Sequence, residues 1–449
     1  TLLVCYSSFL YQNLDIMNII PQLLVAGTNS GCGKTTFTLG LLRSLARRGY
    51  DLASFKCGPD YIDPKFHALA SGKPSINLDL FMMSEEHVRA TYARYASKAT
   101  ACVVEGVMGL YDGSQKMQGS SAEVAMTLGL PVVLLVNAAS SAYSTGAVIH
   151  GFKTFKPNIN VVGVVFNRVA SENHYQFLKD AASDAGVESL GYIPKTASLD
   201  VPSRHLGLSL EELQKLDYFP DKVADLIDAH VDVARLLELC STQKPTCEEE
   251  KTEVIAQPLR IAVASDEAFN FVYPENIRAL ERVGEVQFFS PLRDSVLPVA
   301  DLIYFPGGYP EFYLEQLSRN TSLRSAIKAY AEAGGKILAE CGGMMYLCAA
   351  IIDEEGKEHD MCGILKNQAT MEGMKLTLGY RHVKTAHLTL RGHEFHYSKL
   401  VNEPQEEIIA EQTAATGRKV GTCMMRYKNV IAGYTHLYWA EQNILELWN

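Results

Sequence analysis

The 449-residue chain has no long uninterrupted apolar run and no excess of basic residues. No segment is long and apolar enough to cross a bilayer as a helix. Its 41 lysines and arginines are outnumbered by 51 aspartates and glutamates, and the net charge of −10 disfavours a nucleic-acid-binding surface. We therefore expect neither a membrane nor a nucleic acid among its partners. A local basic pocket for an anionic small molecule stays compatible with this charge.

The ten cysteines are scattered, and none belongs to a CxxC pair or to a Cys/His pattern with zinc spacing. This disfavours a zinc site and a disulfide scaffold, and it is typical of reduced thiols in a cytoplasmic protein. Residues 1–16 lack a basic start and a small-residue cleavage site, so they make a poor signal peptide. We expect a cytoplasmic protein in which residues 1–16 are an upstream extension outside the fold.

The length predicts two or three domains. In the first half, short apolar runs alternate with amphipathic helical patterns, which is typical of a doubly wound parallel sheet. A second α/β pattern begins near Leu259 and becomes richer in β-strand signals towards the end. Between them, residues 240–257 are polar, charged and nearly free of aromatics. We therefore predict an N-terminal domain over residues 17–239, a linker over 240–257 and a C-terminal domain over 258–449.

A glycine-rich segment, GTNSGCGKTT at residues 27–36, lies between a predicted strand and a predicted helix. Such loops hold phosphates with backbone N–H groups at a helix N-terminus. The segment departs from the GxxxxGK[ST] pattern because Thr28 stands at the first glycine position. We predict a P-loop that binds the phosphates of ATP through Gly31, Gly33, Lys34, Thr35 and Thr36.

Asp60, Glu105 and Asn167 lie at the ends of predicted strands, at the edge of a parallel sheet where ligands bind. Asp60 and Glu105 offer the carboxylate oxygens that Mg²⁺ prefers, and Thr35 offers a hydroxyl. We predict that Thr35, Asp60 and Glu105 bind Mg²⁺. The alternative is that the two acids are solvated loop residues. Asn167 ends another strand, and its amide either reads the adenine edge of ATP or forms a turn.

A cysteine stands where a later strand turns into a helix. Cys341 follows the strand pattern of residues 336–340 and precedes Gly342 and Gly343, as in a nucleophile elbow. A helix N-terminus lowers a thiol pKa and supplies N–H donors, so we expect an oxyanion hole at Gly342 and Gly308. His436 is the predicted base. The alternative is a buried cysteine and a packed histidine.

Two further histidines, His393 and His396, alternate along a predicted strand with the sequence RGHEFHY. Their spacing gives no metal triad. We interpret this segment as a strand that lines a pocket, and we do not expect zinc.

Seven segments together carry a family resemblance: GTNSGCGKTT, FKCGPDYIDP, EGVMGLYDG, FPGGYPE, AECGGMMYL, RGHEFHYS and GYTHLYW. With them the chain resembles the cobyrinate and hydrogenobyrinate a,c-diamide synthase family over roughly residues 20–449. The resemblance implies an N-terminal ATPase domain similar to dethiobiotin synthetase and a C-terminal class I glutamine amidotransferase domain. It implies Thr35, Asp60 and Glu105 as Mg²⁺ ligands, Cys341 as nucleophile and His436 as its activator.

The implied reaction has two halves. Cys341 releases ammonia from glutamine, while a tetrapyrrole carboxylate attacks the γ-phosphate of ATP; ammonia then converts the acyl phosphate into an amide. The implied partners are ATP, glutamine and a tetrapyrrole carboxylate, and a homodimer is compatible with them.

One departure from the family pattern is Tyr438, which stands where many class I amidotransferases carry a glutamate two residues after the histidine. The residue that orients His436 is therefore unassigned.

Several alternatives stay open. Diamide synthases for nickel-sirohydrochlorin and hydrogenobyrinate look alike at these motifs, and a cobyrate-synthase-like activity uses the same chemistry. A partitioning or scaffold P-loop ATPase carries a signature lysine where this chain has Asn29, and it lacks a cysteine-elbow domain. A non-enzymatic binding module does not explain two chemical sites.

Overall fold

The structure is a computed structural model that describes residues 18–196, 218–247 and 257–449. The predicted extension over residues 1–16 and half of the predicted linker, residues 248–256, lie outside the described residues. The chain divides into two compact units, and the division falls between Glu249 and Glu250. Each unit has its own central sheet.

An eight-stranded sheet lies at the centre of the first unit, with the order β3-β2-β4-β1-β5-β6-β7 and β8 paired to β1. The seven strands on the main path pair in parallel. They are β1 (Ile19–Gly27), β2 (Leu52–Cys57), β3 (Ser75–Leu78), β4 (Ala101–Glu105), β5 (Val132–Asn137), β6 (Val161–Val169) and β7 (Glu188–Pro194). Their near-continuous apolar sequences suit strands that are covered on both faces. This architecture confirms the predicted doubly wound parallel sheet.

The helices of the first unit connect these strands. They are α1 (Lys34–Arg47), α2 (Asp63–Ser71), α3 (Glu85–Ala96), α4 (Ser121–Leu128), α5 (Thr145–Thr154), α6 (Glu172–Asp184), α7 (Phe219–His230) and α8 (Val233–Leu239). Serine side chains cap the N-termini of α3, α4 and α6. Helix α1 differs, because Gly33 precedes it in a left-handed conformation and gives no side-chain cap. The N–H groups of its first turn therefore face the preceding loop.

Part of the predicted linker belongs to the first sheet. β8 (Ser241–Gln243) pairs antiparallel with the start of β1. The Gln22 side chain donates hydrogen bonds to the hydroxyl of Thr242 and to the carbonyl of Gln243. The polar composition that suggested a linker conceals this strand, because backbone pairing at a strand end requires no apolar side chains.

A seven-stranded sheet lies at the centre of the second unit, in the order β10-β9-β11-β12-β22-β21-β19. Its strands are β9 (Leu259–Ala264), β10 (Gly284–Phe289), β11 (Leu302–Phe305), β12 (Lys336–Glu340), β19 (Glu407–Ile408), β21 (Met424–Tyr427) and β22 (Val430–Gly433). The first five strands of that order pair in parallel. β21 pairs antiparallel with β22, and β19 pairs antiparallel with β21. The associated helices are α9 (Pro274–Glu281), α10 (Leu314–Arg319), α11 (Thr321–Glu332) and α12 (Gly342–Leu347).

Two small sheets of four strands complete the second unit. One contains β13 (Ala350–Ile352), β14 (Glu358–Asp360), β15 (Gln368–Thr370) and β18 (Lys399–Leu400); the other contains β16 (Thr377–Lys384), β17 (Thr389–His396), β20 (Glu411–Ala414) and β23 (His436–Tyr438). The late part of the chain, where strand signals increase, contains the antiparallel strands β16 and β17. β23 then pairs with β17 and sets His436 opposite His393.

Among residues 18–196, 218–247 and 257–449, no helix combines the length and the apolar character needed to span a membrane.

Two helical glycines offer a matched test of packing. A Cβ atom at Gly40 of α1 would lie 2.5 Å from Cγ1 of Val223 and 3.0 Å from its carbonyl carbon, in the α1–α7 contact. A Cβ at Gly151 of α5 would meet nothing within 4 Å. We expect Gly40→Ala to lower the free energy of unfolding by about 1–3 kcal/mol through overpacking. Gly151→Ala should raise it by about 0.5–1 kcal/mol through helix propensity. Urea titration checks both; a stabilised Gly40→Ala protein would contradict the described α1–α7 packing.

Candidate active sites

The phosphate loop joins β1 to α1 in the geometry of an anion site. Gly33 has φ of 101°, and a Cβ atom there would overlap the side-chain amide of Asn167, so this position requires glycine. Gly31 is also left-handed, with φ of 74°. The backbone N–H groups at the start of α1, including those of Thr35 and Thr36, follow directly on this turn. The loop therefore has the form that binds phosphate at a helix N-terminus.

The Lys34 side chain lies between the phosphate loop and the loop that follows β4. Its Nζ donates to the carbonyl of Met108 at 2.5 Å and to the carbonyl of Asn29 at 3.3 Å. Burial lowers the pKa of Lys34, while the Glu105 and Asp63 carboxylates act in the opposite direction. Lys34 thus holds its ammonium group next to the loop, where it can meet a phosphate.

Asn167 lies beneath the loop at the end of β6. Its Nδ2 donates to the carbonyl of Cys32 at 2.8 Å, and its Oδ1 accepts from the backbone N–H of Arg168. These contacts support the loop. The adenine-reading role of Asn167 stays a prediction.

A buried charged cluster lies directly behind Thr35. The Thr35 hydroxyl donates to Glu105 Oε1 at 2.7 Å and approaches Asp63 Oδ2 at 3.4 Å. The Lys56 ammonium lies 2.7 Å from Asp63 and 3.0 Å from Glu105. Both carboxylates are completely buried. Burial alone would lower the pKa of Lys56, but the two carboxylates outweigh it and raise that pKa above its usual value.

Glu105 has a second partner, His67 of α2. His67 Nε2 lies 2.6 Å from Glu105 Oε2, and His67 Nδ1 lies 3.0 Å from Ser75 Oγ. Although burial acts to raise the pKa of Glu105, Lys56, His67 and Thr35 hold it well below its usual value. Glu105 is therefore a carboxylate, and His67 fixes its orientation.

The two candidate aspartates occupy different places. Asp60 Oδ1 accepts hydrogen bonds from the backbone N–H groups of Ile62 and Asp63, so this oxygen caps the turn that begins α2. Asp63, three residues later, carries the carboxylate that approaches Thr35. Sequence reasoning selected Asp60 and overlooked Asp63, although the pattern Asp63-Pro64 is itself a signal for the start of a helix. The metal role of Asp60 stays a prediction.

This cluster suits a small hard cation. Mg²⁺ is usually held by one or two carboxylates together with substrate phosphates, and keeps several waters. Thr35, Asp63 and Glu105 supply a hydroxyl and two carboxylates beside the phosphate loop. Within the described ranges, no group of three or more His, Cys, Asp or Glu residues forms a cage for a metal. The donor set therefore fits Mg²⁺ that arrives with a nucleotide.

In the second unit, Cys341 forms a strained elbow between β12 and α12. Its backbone has φ of 47° and ψ of −110°, an unusual conformation for a residue with a side chain. The Cys341 N–H donates to the carbonyl of Gly433 at 2.7 Å, which anchors the turn to β22. Such an elbow presents its side chain at the carboxyl edge of the sheet.

The thiol pKa departs from the expectation. Burial raises the pKa of Cys341 above its usual value, the Glu311 carboxylate adds to this, and the Gly342 N–H only partly opposes it. Helix α12 is six residues long, so its dipole is small. The expected lowering of the thiol pKa at this helix N-terminus is therefore wrong for the substrate-free state. Cys341 rests as a thiol and requires a base.

The predicted oxyanion residues lie side by side. A Cβ atom at Gly342 would lie 3.2 Å from the backbone nitrogen of Gly308 and 2.7 Å from Cδ of Pro310. The loop after β11 thus packs directly on the first residue of α12. This arrangement brings the backbone amides of Gly308 and Gly342 together next to Cys341, as an oxyanion hole requires. Their donor role stays a prediction.

His436 and Cys341 lie against the same glycine. A Cβ atom at Gly307 would overlap Cε1 of His436, would lie 2.8 Å from its Nδ1 and would lie 3.3 Å from Cβ of Cys341. His436 is fully buried. Burial lowers the pKa of His436 well below its usual value, so the imidazole is neutral and can accept a proton. The structure therefore brings the predicted nucleophile and base together.

Glu340 supports the same site from β12. Its Oε1 accepts from the Leu437 N–H at 3.1 Å, and its Oε2 accepts from the Tyr304 hydroxyl at 2.9 Å. Burial raises the pKa of Glu340 to about 8. This link ties the strand that carries Cys341 to the strand that carries His436, and sequence reasoning did not identify it.

Both halves of the chain match family models. Residues 23–208 match the CobQ/CobB/MinD/ParA nucleotide binding domain, and residues 260–444 match the CobB/CobQ-like glutamine amidotransferase domain. The first unit therefore binds a nucleotide.

Relatives match over almost the whole chain. The chain is 38% identical to the cobyrinate a,c-diamide synthase of Streptococcus sanguinis, over 96% of this chain and 98% of that protein. It is 35% identical to the enzyme of the same name from Saccharolobus solfataricus, over 94% and 98%. It is 39% identical to the hydrogenobyrinate a,c-diamide synthase of Pseudomonas aeruginosa, over 93% and 94%.

A nucleotide site in one unit and a cysteine–histidine site in the other define the class of a glutamine-dependent amidoligase. The chain belongs to the cobyrinate and hydrogenobyrinate a,c-diamide synthase family, which confirms the resemblance seen in its motifs.

Proposed function

We propose that this enzyme converts the a and c acetate carboxylates of cobyrinic acid into amides, with ATP as the activating substrate and glutamine as the nitrogen source. The observation that supports it most is the pairing, in one chain, of the Thr35–Glu105 cluster behind a phosphate loop with the Cys341–His436 site. The names of full-length relatives supply the substrate. ATP, glutamine and the tetrapyrrole are the proposed partners, and a homodimer stays a prediction.

Glutamine hydrolysis takes place at Cys341. His436 accepts the thiol proton as Sγ attacks the side-chain amide carbon of glutamine, and the N–H groups of Gly308 and Gly342 hold the developing oxyanion. His436 then gives that proton to the departing ammonia, which leaves a thioester. Water cleaves the thioester to glutamate and restores the thiol. Because burial raises the pKa of the Cys341 thiol, its attack requires His436 to accept the proton.

Carboxylate activation takes place at the phosphate loop. The substrate carboxylate attacks the γ-phosphate of ATP, forming an acyl phosphate and ADP, and ammonia then displaces phosphate to give the amide. The ammonium of Lys34 and the backbone amides of Gly31, Gly33, Thr35 and Thr36 offset the charge that develops on the phosphate oxygens.

The Lys56 ammonium lies beside the carboxylates of Asp63 and Glu105. When bound, Mg²⁺ would offset charge on the phosphate oxygens, and Thr35, Asp63 and Glu105 would hold it. His67 keeps Glu105 in its orientation for this role. Asp60, predicted from sequence as a ligand, supports the position of Asp63 through its cap.

A second candidate substrate is hydrogenobyrinic acid, the metal-free counterpart. The Pseudomonas aeruginosa relative that carries this name is 39% identical, against 38% and 35% for the two cobyrinate enzymes. Overall identity therefore does not separate the two rings. The chemistry proposed for both sites is the same in either case.

The metal site predicts a contrast between two aspartates. Asp63→Asn removes a carboxylate beside Thr35, and we expect the Mg²⁺ concentration for half-maximal amidation to rise about tenfold or more. Asp60→Asn keeps an oxygen that can cap α2, so it should shift this concentration less. A Mg²⁺ titration of both variants, with thermal melting as a folding control, checks this. A shift in Asp60→Asn alone would return the ligand role to Asp60.

The two half-reactions should separate by mutation. Cys341→Ala should abolish glutamine-dependent amidation and keep the rate with a high concentration of ammonium salt, because the thiol serves only to release ammonia. Lys34→Ala should lose amidation with both nitrogen donors, because phosphoryl transfer is common to both. Product formation with each donor measures this. A folded Cys341→Ala enzyme that is inactive with ammonium would refute the assignment of Cys341 to ammonia release alone.

Product mass identifies the substrate. Wild-type enzyme with ATP, Mg²⁺, glutamine and cobyrinic acid should add two amides and stop, because one site reaches only carboxylates that related ring orientations bring to the γ-phosphate. Parallel reactions with hydrogenobyrinic acid and nickel-sirohydrochlorin, analysed by chromatography with mass spectrometry, compare the rings. Four amides on cobyrinic acid would indicate a cobyrate-synthase-like activity, and conversion of another ring alone would replace the proposed substrate.

A further inference from the structure

A line of aromatic side chains leads from Tyr438 to the base of the glutaminase site. The Tyr438 ring packs edge-on against Tyr273, with 5.5 Å between ring centroids. The Tyr273 hydroxyl lies 3.0 Å from Nδ1 of His393. The His393 ring in turn stacks on the His436 ring, with centroids 5.1 Å apart and planes inclined by 22°. Tyr438 is the residue that stands where a glutamate was expected.

The backbone fixes this stack. β17 and β23 are antiparallel neighbours in which His393 is the direct partner of His436, so both imidazoles lie on the same face of the sheet. Both residues are buried. Gly307 closes off the Cε1 edge of His436, and the Phe271 ring lies 5.9 Å away at 54°. The ring plane of His436 is therefore set by His393 on one face and by these neighbours on its other sides.

We infer that His393, held by the Tyr273 hydroxyl, is the positioning residue that fixes the His436 imidazole for proton transfer with Cys341. This inference rests on the proposed glutaminase function. In many class I amidotransferases an acid orients the histidine by a hydrogen bond; here a stacked imidazole with a phenol behind it occupies that structural role. His393 acts through His436 and does not itself touch glutamine in this scheme.

The charge state of His393 suits the role. Burial, together with the Arg381 guanidinium, lowers the pKa of His393 to about 3, so its ring is neutral throughout the working range. When His436 accepts the thiol proton, the ring stacked on it adds no second positive charge. Burial, and after it the neighbouring His393 and His396, lower the pKa of His436, so the stack serves to hold the ring in place and does not strengthen it as a base.

Other titratable groups lie near His436 and contribute to the pH dependence of glutamine hydrolysis. Cys341 lies across Gly307, and Glu340 accepts the N–H of Leu437, the residue after His436. His396 and Glu394 lie on β17, where Glu394 pairs with Arg381. Although burial would raise it, the pKa of Glu394 is held at about 2 by His396, Thr422 and Arg381, so Glu394 stays ionised. Two buried acids of the site titrate close to neutrality: burial raises the pKa of Glu340 to about 8 and that of Glu311, whose charge acts on Cys341, to about 7.

Three variants separate stacking from hydrogen bonding. His393→Asn keeps a polar group near Tyr273 but removes the ring, and we expect kcat for glutamate release to fall about tenfold to a hundredfold. His393→Phe keeps a ring against His436 and should retain more of the rate than His393→Asn. Tyr273→Phe removes only the hydroxyl and should lower kcat about threefold to tenfold. The matched control is Tyr92→Phe, which removes a buried phenol hydrogen bond to Gln22 in the first unit. Its kcat for glutamate release should equal that of the wild-type enzyme.

Two readouts distinguish positioning from general damage. The KM for glutamine and the ammonium-supported amidation rate should stay within about twofold of wild type in all variants, because neither depends on His436. The rate of Cys341 alkylation by iodoacetamide, followed on its peptide by mass spectrometry, should shift to higher pH in His393→Asn. A displaced imidazole accepts the thiol proton less readily.

Several results would overturn the inference. It fails if His393→Asn hydrolyses glutamine at the wild-type rate, or if His393→Asn is faster than His393→Phe. If His393→Asn does not fold, Tyr273→Phe decides, and a wild-type kcat in that variant overturns the role of the hydroxyl and the stack it holds. Wild-type enzyme that releases no glutamate from glutamine would refute the proposed function itself, which is a separate outcome.

Discussion

Parallel strand pairing is the constraint on which both sites depend. Parallel strands place all their carboxyl ends at one edge, and the proposed chemical groups of the first unit lie at or just after such ends. They are the loop after β1, Asp63 after β2, Glu105 at the end of β4 and Asn167 near the end of β6. In the second unit Cys341 follows β12 and the glycine pair follows β11. His436 differs, because an antiparallel strand, β23, delivers it from a separate small sheet. The catalytic pair thus forms where two sheets meet.

The sequence was most informative where function and local geometry coincide. Gly33 and Cys341 adopt conformations that few residues tolerate, and each leaves a clear local pattern between a strand and a helix. The parallel sheet followed from apolar runs. By contrast, the choice between Asp60 and Asp63 depends on a turn of three residues, in which one carboxylate caps a helix and the other faces Thr35. The pattern of apolar and polar residues does not show which of the two aspartates faces Thr35.

Other features lie beyond local sequence for physical reasons. The raised thiol pKa of Cys341 follows from the depth of burial, which only the assembled unit sets. The contact of His67 with Glu105 spans 38 positions, and that of Tyr273 with His393 spans 120. β8 was hidden because its pairing uses backbone groups and polar side chains and needs no apolar residues. The predicted strand around His393 is β17, and its place along a pocket stays a prediction. The strand register, which sequence did not provide, reveals His436 as the partner of His393.

The ammonium group of Lys56 gives the proposed metal site an internal counter-ion. Two fully buried carboxylates would repel each other strongly in a site with no cation, yet Lys56 lies within 3.0 Å of both. The protein can therefore keep its ligands in place before any nucleotide arrives. If Mg²⁺ binds here as proposed, Lys56 would already balance part of the charge of its ligands. Departure of the cation with the spent nucleotide would then leave no buried carboxylate without a counter-charge.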